Sequence, residues 1–548
     1  MWHRSLLAAT VLLLVAPALS GAARNVTAPA AYKMLTLDSP DPQASEEGNF
    51  SDRMDAIGDV DGDHVSDVMV ASDAQTVNGV AGVGRVYIFS GKTRALITRI
   101  DHPEPQAGAG FGFWSAAAGD VNGDGSPDVA IAALNQTVNG KAGQGRVYVF
   151  SVKPLKLLYT FDDPDPQAGA NFGRTIISPG DLNGDSTPDL VVAASRQDQG
   201  AFSRVGRGFA FSGKDGKLLY EILHPDPKTD ARLGQAIADP GDINGDGVDD
   251  YMLGSHRYDE GAMKTVGRAY VFDGKTGNML LRLMHPEPQA GAFFGFMDGA
   301  RGAPGDVNGD GVRDVFVPAF IQDVNGVVGA GRGYLFSGKD GSLVRMLDDP
   351  TPQTNGEFGY TYAPAGDVDH DGVPDMIVGQ DPHTNPSAPN EGGAYIFSGK
   401  TGKVLAQFEP HVQQSTFGAS LAAAGDVNGD AHPDFYVGAP LETVSGQAAA
   451  GRVRLLLSSD TTAPSRPRVS GPRRTARPRP VFRFSATDRD NAPSELLFRC
   501  AFDSRRLHAC GARYSQALRR GTHVLRVQAR DPAGNRSRVG TVVVRVVR

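Results

Sequence analysis

The stretch Asp120-Val121-Asn122-Gly123-Asp124-Gly125-Ser126-Pro127-Asp128 decides how this chain folds, because it does not occur once. Equivalents begin at Asp59 (DVDGDHVSD), Asp181 (DLNGDSTPD), Asp242 (DINGDGVDD), Asp306 (DVNGDGVRD), Asp367 (DVDHDGVPD) and Asp426 (DVNGDAHPD). The start-to-start spacings are 61, 61, 61, 64, 61 and 59 residues. Self-similarity at a nearly fixed period is the mark of a repeat architecture. A Phe-Gly pair stands nine residues upstream at Phe111-Gly112, Phe172-Gly173, Phe358-Gly359 and Phe417-Gly418, and twelve upstream at Phe294-Gly295. Phe50-Ser51 and Leu233-Gly234 are worn versions of the same pair.

Around each nonapeptide lie four short runs of strand character. In the second copy these are residues 114–119, 128–133, 146–150 and 155–161. The third run is alternating and rich in aromatic and β-branched residues (GRVYVF from Gly145), as strands are. Gly-Lys-Asp/Thr-Gly turns such as 213–216 and 274–277 join the third run to the fourth as hairpins. A single four-stranded sheet cannot bury both faces, so such units stack radially as propeller blades. The seventh copy runs from its third strand into a linker and lacks a fourth. A matching run, 32–37, followed by SPDPQA, stands unclaimed before the first copy. The expected fold is therefore all-β: a seven-bladed propeller over residues 32–458, its ring closed by the amino-terminal strand. The alternative is a linear solenoid, which would require capping repeats that are not visible.

Positions 1, 3, 5 and 9 of the nonapeptide carry Asp, Asp or Asn, Asp and Asp throughout. They are Asp59, Asp61, Asp63 and Asp67; Asp120, Asn122, Asp124 and Asp128; Asp181, Asn183, Asp185 and Asp189. The remaining sets are Asp242, Asn244, Asp246 and Asp250; Asp306, Asn308, Asp310 and Asp314; Asp367, Asp369, Asp371 and Asp375; Asp426, Asn428, Asp430 and Asp434. Position 7 varies (Val65, Ser126, Thr187, Val248, Val312, Val373, His432), as expected where only a backbone carbonyl is used. Alternating oxygen donors on a tight loop suit a hard cation with six to eight oxygen ligands, and calcium before magnesium because the chain supplies the cage. One Ca2+ per blade, up to seven, is the expected load. The loop is not an EF-hand, since position 12 is apolar (Val70, Ile131) where a bidentate Glu would be required. Ordinary Asx turns are the competing reading, but the carboxylates of such loops would repel one another without a cation.

The unit FG…DxNxDGxxD followed by a Gly-Ala-Pro-like strand end (Gly438-Ala439-Pro440) and GxVYVF resembles the FG-GAP repeat of the integrin α-subunit head. The resemblance covers about residues 32–458. It implies a seven-bladed propeller with calcium in the loops joining first and second strands, and ligand binding on the opposite face. All seven units here carry the acidic loop, which is similar to secreted bacterial members of the repeat. After a linker at 459–467, residues 468–548 resemble the immunoglobulin-like β-sandwich modules of secreted bacterial proteins, in VFRFSATDRD, FRCAFD…CGARY and GTHVLRVQARDPAGNRS.

Charge divides the chain in the same place. From Pro464 onward there are 20 Arg, no Lys and 5 acids, a net of +15, whereas residues 24–463 hold 33 bases and 57 acids, a net of −24. Positions 1, 3, 5 and 9 of the seven loops supply −23 of that. The acidity thus belongs to the loops and marks no basic partner. The basic module is either a contact for anionic wall polymers or a merely solvated domain. Residues 1–20, with a short basic start and an apolar run ending in Ala18-Leu19-Ser20, read as a secretory signal peptide. An uncleaved anchor is the alternative. The expected product is secreted or envelope-associated and monomeric, with no further membrane span and no nucleic-acid partner. Of the two cysteines, Cys500 and Cys510, the exported setting favours a disulfide over two buried thiols.

With metals at one end, the second–third loops gather at the other, where their content diverges. Arg196, Phe202, His256, Arg257, Tyr258 and His383 are the candidates for a surface ligand patch. The recurring His102, His224 and His285 of the H-P-[D/E]-P turn read as architecture. The Arg that follows Gly at each third strand (Arg85, Arg146, Arg207, Arg268, Arg332, Arg452) reads as a partner of nearby carboxylates, with a channel ring of anion-binding arginines as the alternative. No GxSxG, HExxH, P-loop or dinucleotide fingerprint is present. The expected function is binding or adhesion to an extracellular carbohydrate or protein. A calcium-bearing polysaccharide lyase or hydrolase is the alternative, and a purely structural envelope protein a third.

Overall fold

The computed structural model describes residues 31–44, 50–297, 302–380, 392–409, 412, 415–459, 463–488, 493, 496–531 and 535–547. The expected signal peptide, His383 and residues 298–301, which lie within the insertion Phe296–Gly302 that lengthens the fifth repeat, lie outside them. Among the described residues every regular element is a strand, and no helix is long and apolar enough to cross a membrane.

Blade two shows the plan. Its strands Phe111–Gly119, Asp128–Ala133, Arg146–Val152 and Leu155–Asp162 pair consecutively and antiparallel. The second strand is buried along its whole length, and the fourth is exposed or half-buried at every residue but Phe161. Interior strands covered on both faces read as continuous apolar runs, and that is the pattern of DVAIAA. Phe150 and Phe111 of this blade pack with Ile88 and Val86 of the one before, in a shared core between the two sheets. The same four-strand order recurs in blades one, three, four and six. Blade five differs: its sheet has three strands, Val315–Ala319, Arg332–Phe336 and Leu343–Asp348, and Gly305 meets Asp314 only in an isolated bridge.

The first strand begins three residues earlier than the periodicity suggests, at the Phe-Gly pair itself, across a register shift between Phe111 and Trp114. The pair docks one blade on the next. Phe172 N donates to Gln144 O at 2.7 Å, and a Cβ on Gly145 would lie 2.1 Å from Phe172 O. Gly145 also sits at φ +87, so the Gly opening each third strand answers to both close approach and a left-handed backbone.

The amino-terminal strand Ala31–Asp38 pairs antiparallel with Arg452–Ser459, in register from Ala31 with Ser459 to Asp38 with Arg452, completing a four-stranded sheet with Leu421–Gly425 and Asp434–Ala439. The first strand of that sheet lies beside Arg53–Gly58 of blade one, as Arg53–Gly58 lies beside Phe111–Gly119. First and last sheets are therefore neighbours in the ring, and the amino-terminal strand covers what would otherwise be the bare Arg452–Ser459 edge. Where first strands converge, Asp55, Ala56, Gly302, Pro364 and Ala423 line a cavity of about 210 Å3.

Beyond Ala463 the chain forms two further sheets, one of three strands and one of five. Phe482 and Phe484 from the first and Phe498, Leu525, Val527 and Val544 from the second share one core, so the two sheets face each other as a sandwich. A disulfide joins Cys500 to Cys510, bridging paired strands.

Candidate metal centres and the opposite face

Each acidic nonapeptide is the turn from a first to a second strand, and its own carboxylates wrap it. In blade two, Asp120 Oδ1 accepts the N–H groups of Gly123 and Asp124 at 2.7 and 3.0 Å, and Oδ2 that of Gly125 at 2.8 Å. Asn122 Oδ1 accepts Asp124 N at 2.8 Å and Asp124 Oδ1 accepts Ser126 N at 2.9 Å. The same pattern runs through the blade-three, -four, -five and -seven loops. These bonds draw the side-chain oxygens of positions 1, 3 and 5 onto one turn. In the two loops with Asp at position 3, carboxylate oxygens of Asp59, Asp61 and Asp67, and of Asp367, Asp369 and Asp375, all lie within 4.8 Å of one another. Lysines approach from outside, onto backbone carbonyls: Lys92 Nζ reaches Asp63 O at 2.9 Å and Lys400 Nζ reaches Asp371 O at 3.0 Å.

Position 9 has a different environment. Asp67, Asp128, Asp189, Asp250, Asp314, Asp375 and Asp434 are all fully buried. Burial raises Asp67 and pushes Asp128, Asp189, Asp250, Asp314 and Asp434 up to about 6 and Asp375 to about 7, against the N–H groups that each accepts. At position 1 the balance reverses. Burial opposes the charge of Asp59, Asp181 and Asp242, but the loop N–H groups outweigh it and hold all three below the usual carboxylate range. A divalent cation fits this donor set: clustered oxygens, with Lys400 Nζ no nearer than 3.8 Å to the Asp371 carboxylate, and a buried carboxylate whose charge burial disfavours.

At the other end of the blades, the arginines that open third strands are consumed by ion pairs, and the channel ring is not formed. Arg146 holds Asp162 and Glu104, each at 2.6 Å, and Arg332 holds Glu287 and Asp348, each at 2.5 Å. Glu104 and Glu287 come from the H-P-E-P turns that lead from the preceding blade, so these pairs tie blade to blade. The histidines of those turns are buried and bonded. His102 Nδ1 accepts Glu104 N at 3.0 Å while Nε2 meets Gln136 Oε1 at 2.9 Å, and His224 repeats this with Asp226 N and Ser255 Oγ.

The expected surface patch divides. Arg196 and Phe202 are exposed, Phe202 at 41%. Tyr258 is buried at 3% and belongs to the blade seam, stacked on His224 with Arg268 3.9 Å and Lys228 4.1 Å from its ring centre. His256 is also buried, packed against Phe293 and Phe296 with centroids at 5.5 and 5.3 Å. Both corrections have one cause: in blade four these side chains turn inward at the start of the loop, where other blades place Gln75, Gln136, Gln197 or Phe320. Arg257 is half-exposed and paired with Asp230 at 3.3 Å. The sequence reading missed Arg174, Arg232 and Phe293, which flank the Phe-Gly positions of blades three to five. Residues next to a repeated pair that do not themselves repeat were the available signal.

A family model described as "FG-GAP repeat" matches residues 112–150, 173–208 and 417–456. Among curated proteins the chain is similar to integrin alpha-4 of Xenopus laevis, 27% identical over 252 residues, which is 44% of this chain and 23% of that protein. It is 29% identical over 234 residues to integrin alpha-V of Gallus gallus, 38% of this chain and 20% of that one. With integrin alpha-2 of Bos taurus it shares 34% identity over 181 residues, 30% of this chain and 14% of that one. The match thus spans less than a quarter of these relatives.

Proposed function

We propose that this chain, an integrin-α-like propeller of FG-GAP repeats, is a secreted, calcium-loaded binding module for an extracellular carbohydrate or protein. The observation that carries the reading is the division between its two ends: acidic loops repeat in every unit at one, and loops at the other keep their frame but not their content. Calcium is held by side-chain oxygens of positions 1, 3, 5 and 9 and by the carbonyl of position 7. Its chemistry in such a cage is the neutralisation of clustered carboxylates, which fixes the turn between first and second strands. Rigid loops at one end make each blade a fixed mount for the variable loops at the other. The carboxy-terminal module is proposed as an immunoglobulin-like sandwich that brings the propeller to an anionic envelope surface.

Two features favour binding over catalysis. The repeated histidines are spent on turns and seams, and the third-strand arginines on ion pairs. The test is a glycan array with the purified full chain in calcium, paired with an assay for newly released reducing ends. Retention of a ligand class without release is the expected result. Turnover that survives stringent purification would replace this reading with the lyase or hydrolase.

A further inference from the structure

At the variable end of blades three to five, three arginines share one carboxylate. Asp230 Oδ1 accepts from Arg232 Nε at 2.9 Å and lies 3.4 Å from Arg204 Nε, while its Oδ2 lies 3.3 Å from Arg257 Nη1. One carboxylate therefore serves three guanidiniums. Burial pushes the Arg232 guanidinium down against the pull of Asp230, and Arg257 and Arg196, both within electrostatic reach, add to the fall. Arg174, only 6% exposed, is fixed beside this group: Gln235 Oε1 accepts its Nε and Nη2 at 2.8 and 2.6 Å in the orientation that satisfies both groups. Burying guanidiniums beside one another costs free energy unless an anion joins them.

A second, independent observation stands inside the cluster. His256 is 5% exposed, its Nδ1 has no hydrogen-bond partner, and the charges bearing on the ring are those of Arg232, Arg257 and Arg174. A buried ring nitrogen among three cations, with no acceptor to serve it, is an incomplete polar site. Apolar ring surface adjoins it. Phe293 and Phe296 flank His256, Arg257 lies 5.8 Å from the Phe293 centroid, and the Arg174 guanidinium lies 5.0 Å from that of Phe113. Phe113, Phe293 and Phe296 are all half-exposed. Backbone conformation agrees: Asp230 and Arg232 hold φ +63 and +60 where blade two has Gly108 and Gly110, a cost accepted to put side chains there.

We propose that Arg196, Arg232, Arg257 and His256 form a carboxylate-binding site for an acidic saccharide, with Arg174 held beneath it. The guanidiniums take the uronate group and the half-exposed phenylalanines take the sugar face. The inference rests on the reading of this end as the ligand face and names its ligand class. An acidic peptide would satisfy the arginines but gives no use to ring faces set beside them, so the saccharide is the occupant argued.

The test uses the full chain in calcium at low salt. The probes are a hexasaccharide alternating glucuronate with N-acetylglucosamine, the same hexasaccharide with its carboxyls reduced, and hexaglutamate. Arg257→Met and Arg196→Met are compared with Arg505→Met/Arg506→Met, which alters exposed arginines of the basic carboxy-terminal module. The acidic hexasaccharide should bind at least tenfold more tightly than its reduced form. Either propeller variant should weaken it tenfold or more with an unchanged melting temperature, and the carboxy-terminal variant should not. Loss of binding only in the carboxy-terminal variant would overturn the site. Equal binding of the reduced form would overturn the role of the carboxylate while leaving a ligand face. Hexaglutamate binding that depends on Arg257, without saccharide binding, would overturn the ligand class alone. No binding by any probe would overturn the proposal, and only an array empty of all glycans and proteins would also remove the binding reading beneath it.

Discussion

Asp189 ties two turns of one blade together: its Oδ2 accepts the N–H of Leu182 at 2.8 Å and its Oδ1 that of Gly213 at 2.9 Å. The partner 24 residues downstream recurs at Asp67 with Gly91, Asp250 with Gly274, Asp375 with Gly399 and Asp434 with Ser458. The last acid of the loop therefore holds the third–fourth hairpin to the metal turn. Asp189→Ala strands two buried N–H groups and should lower stability by roughly 2–4 kcal/mol even in chelator. Asp185→Asn keeps its acceptor for Thr187 N and should stay within about 0.5 kcal/mol of the parent in chelator. Urea unfolding in chelator separates the two. Equal losses would contradict the division of roles.

Calcium should raise the melting temperature of the whole ring. A site at one hundred times its dissociation constant adds about 2.7 kcal/mol. Asp185→Asn should forfeit part of the calcium-dependent shift, measured as the difference between melts in calcium and in chelator. Superimposable melts of the parent chain would remove the metal assignment.

Ring closure depends on one strand. Deleting residues 31–38 leaves the Arg452–Ser459 edge unpaired, uncovers the core around Val453 and Leu455, and leaves Arg452 without its Asp38 partner. Edges of this kind invite pairing with other chains. The truncated chain should unfold at lower urea and elute as oligomers on size exclusion. A monomer of unchanged stability would show that the ring does not need this strand.

His102, His224 and His285 are each pushed down to about 4, chiefly by burial. A histidine depressed in the folded state leaves the unfolded chain to take the proton first. Its contribution is intact above about pH 6.5 and is lost as pH falls toward 4. The loss reaches about 3 kcal/mol for each ring. His102→Asn keeps an acceptor for Glu104 N and does not titrate there. Relative to this variant the parent should lose stability between pH 6.5 and 4, followed by urea midpoints across that window. Parallel profiles would mean that folding leaves the proton affinity of the ring unchanged.

Much of this was legible in one dimension. The acidic nonapeptide, the Phe-Gly pair and the GRVYVF strand recur because each serves a contact within one blade or with the next, and a repeated contact writes a repeated residue. The missing fourth strand of the seventh copy could be located from the sequence, and Met34 and Leu37 pair with Leu456 and Val453 accordingly. Blade five was not legible, since a spacing of 64 residues signals an insertion without saying which ladder it interrupts.

The sequence by itself determined the period, the strands, the acidic donors and the expectation of a closed ring, because alternation, turns and spacing are local properties of a chain. Only the tertiary structure decided where side chains end. It buried His256 and Tyr258, gave Asp189 its second partner, and brought Arg174, Arg232 and Arg257 to one place. Those outcomes depend on how each blade packs on its neighbours, which sets distances between residues that no local pattern relates.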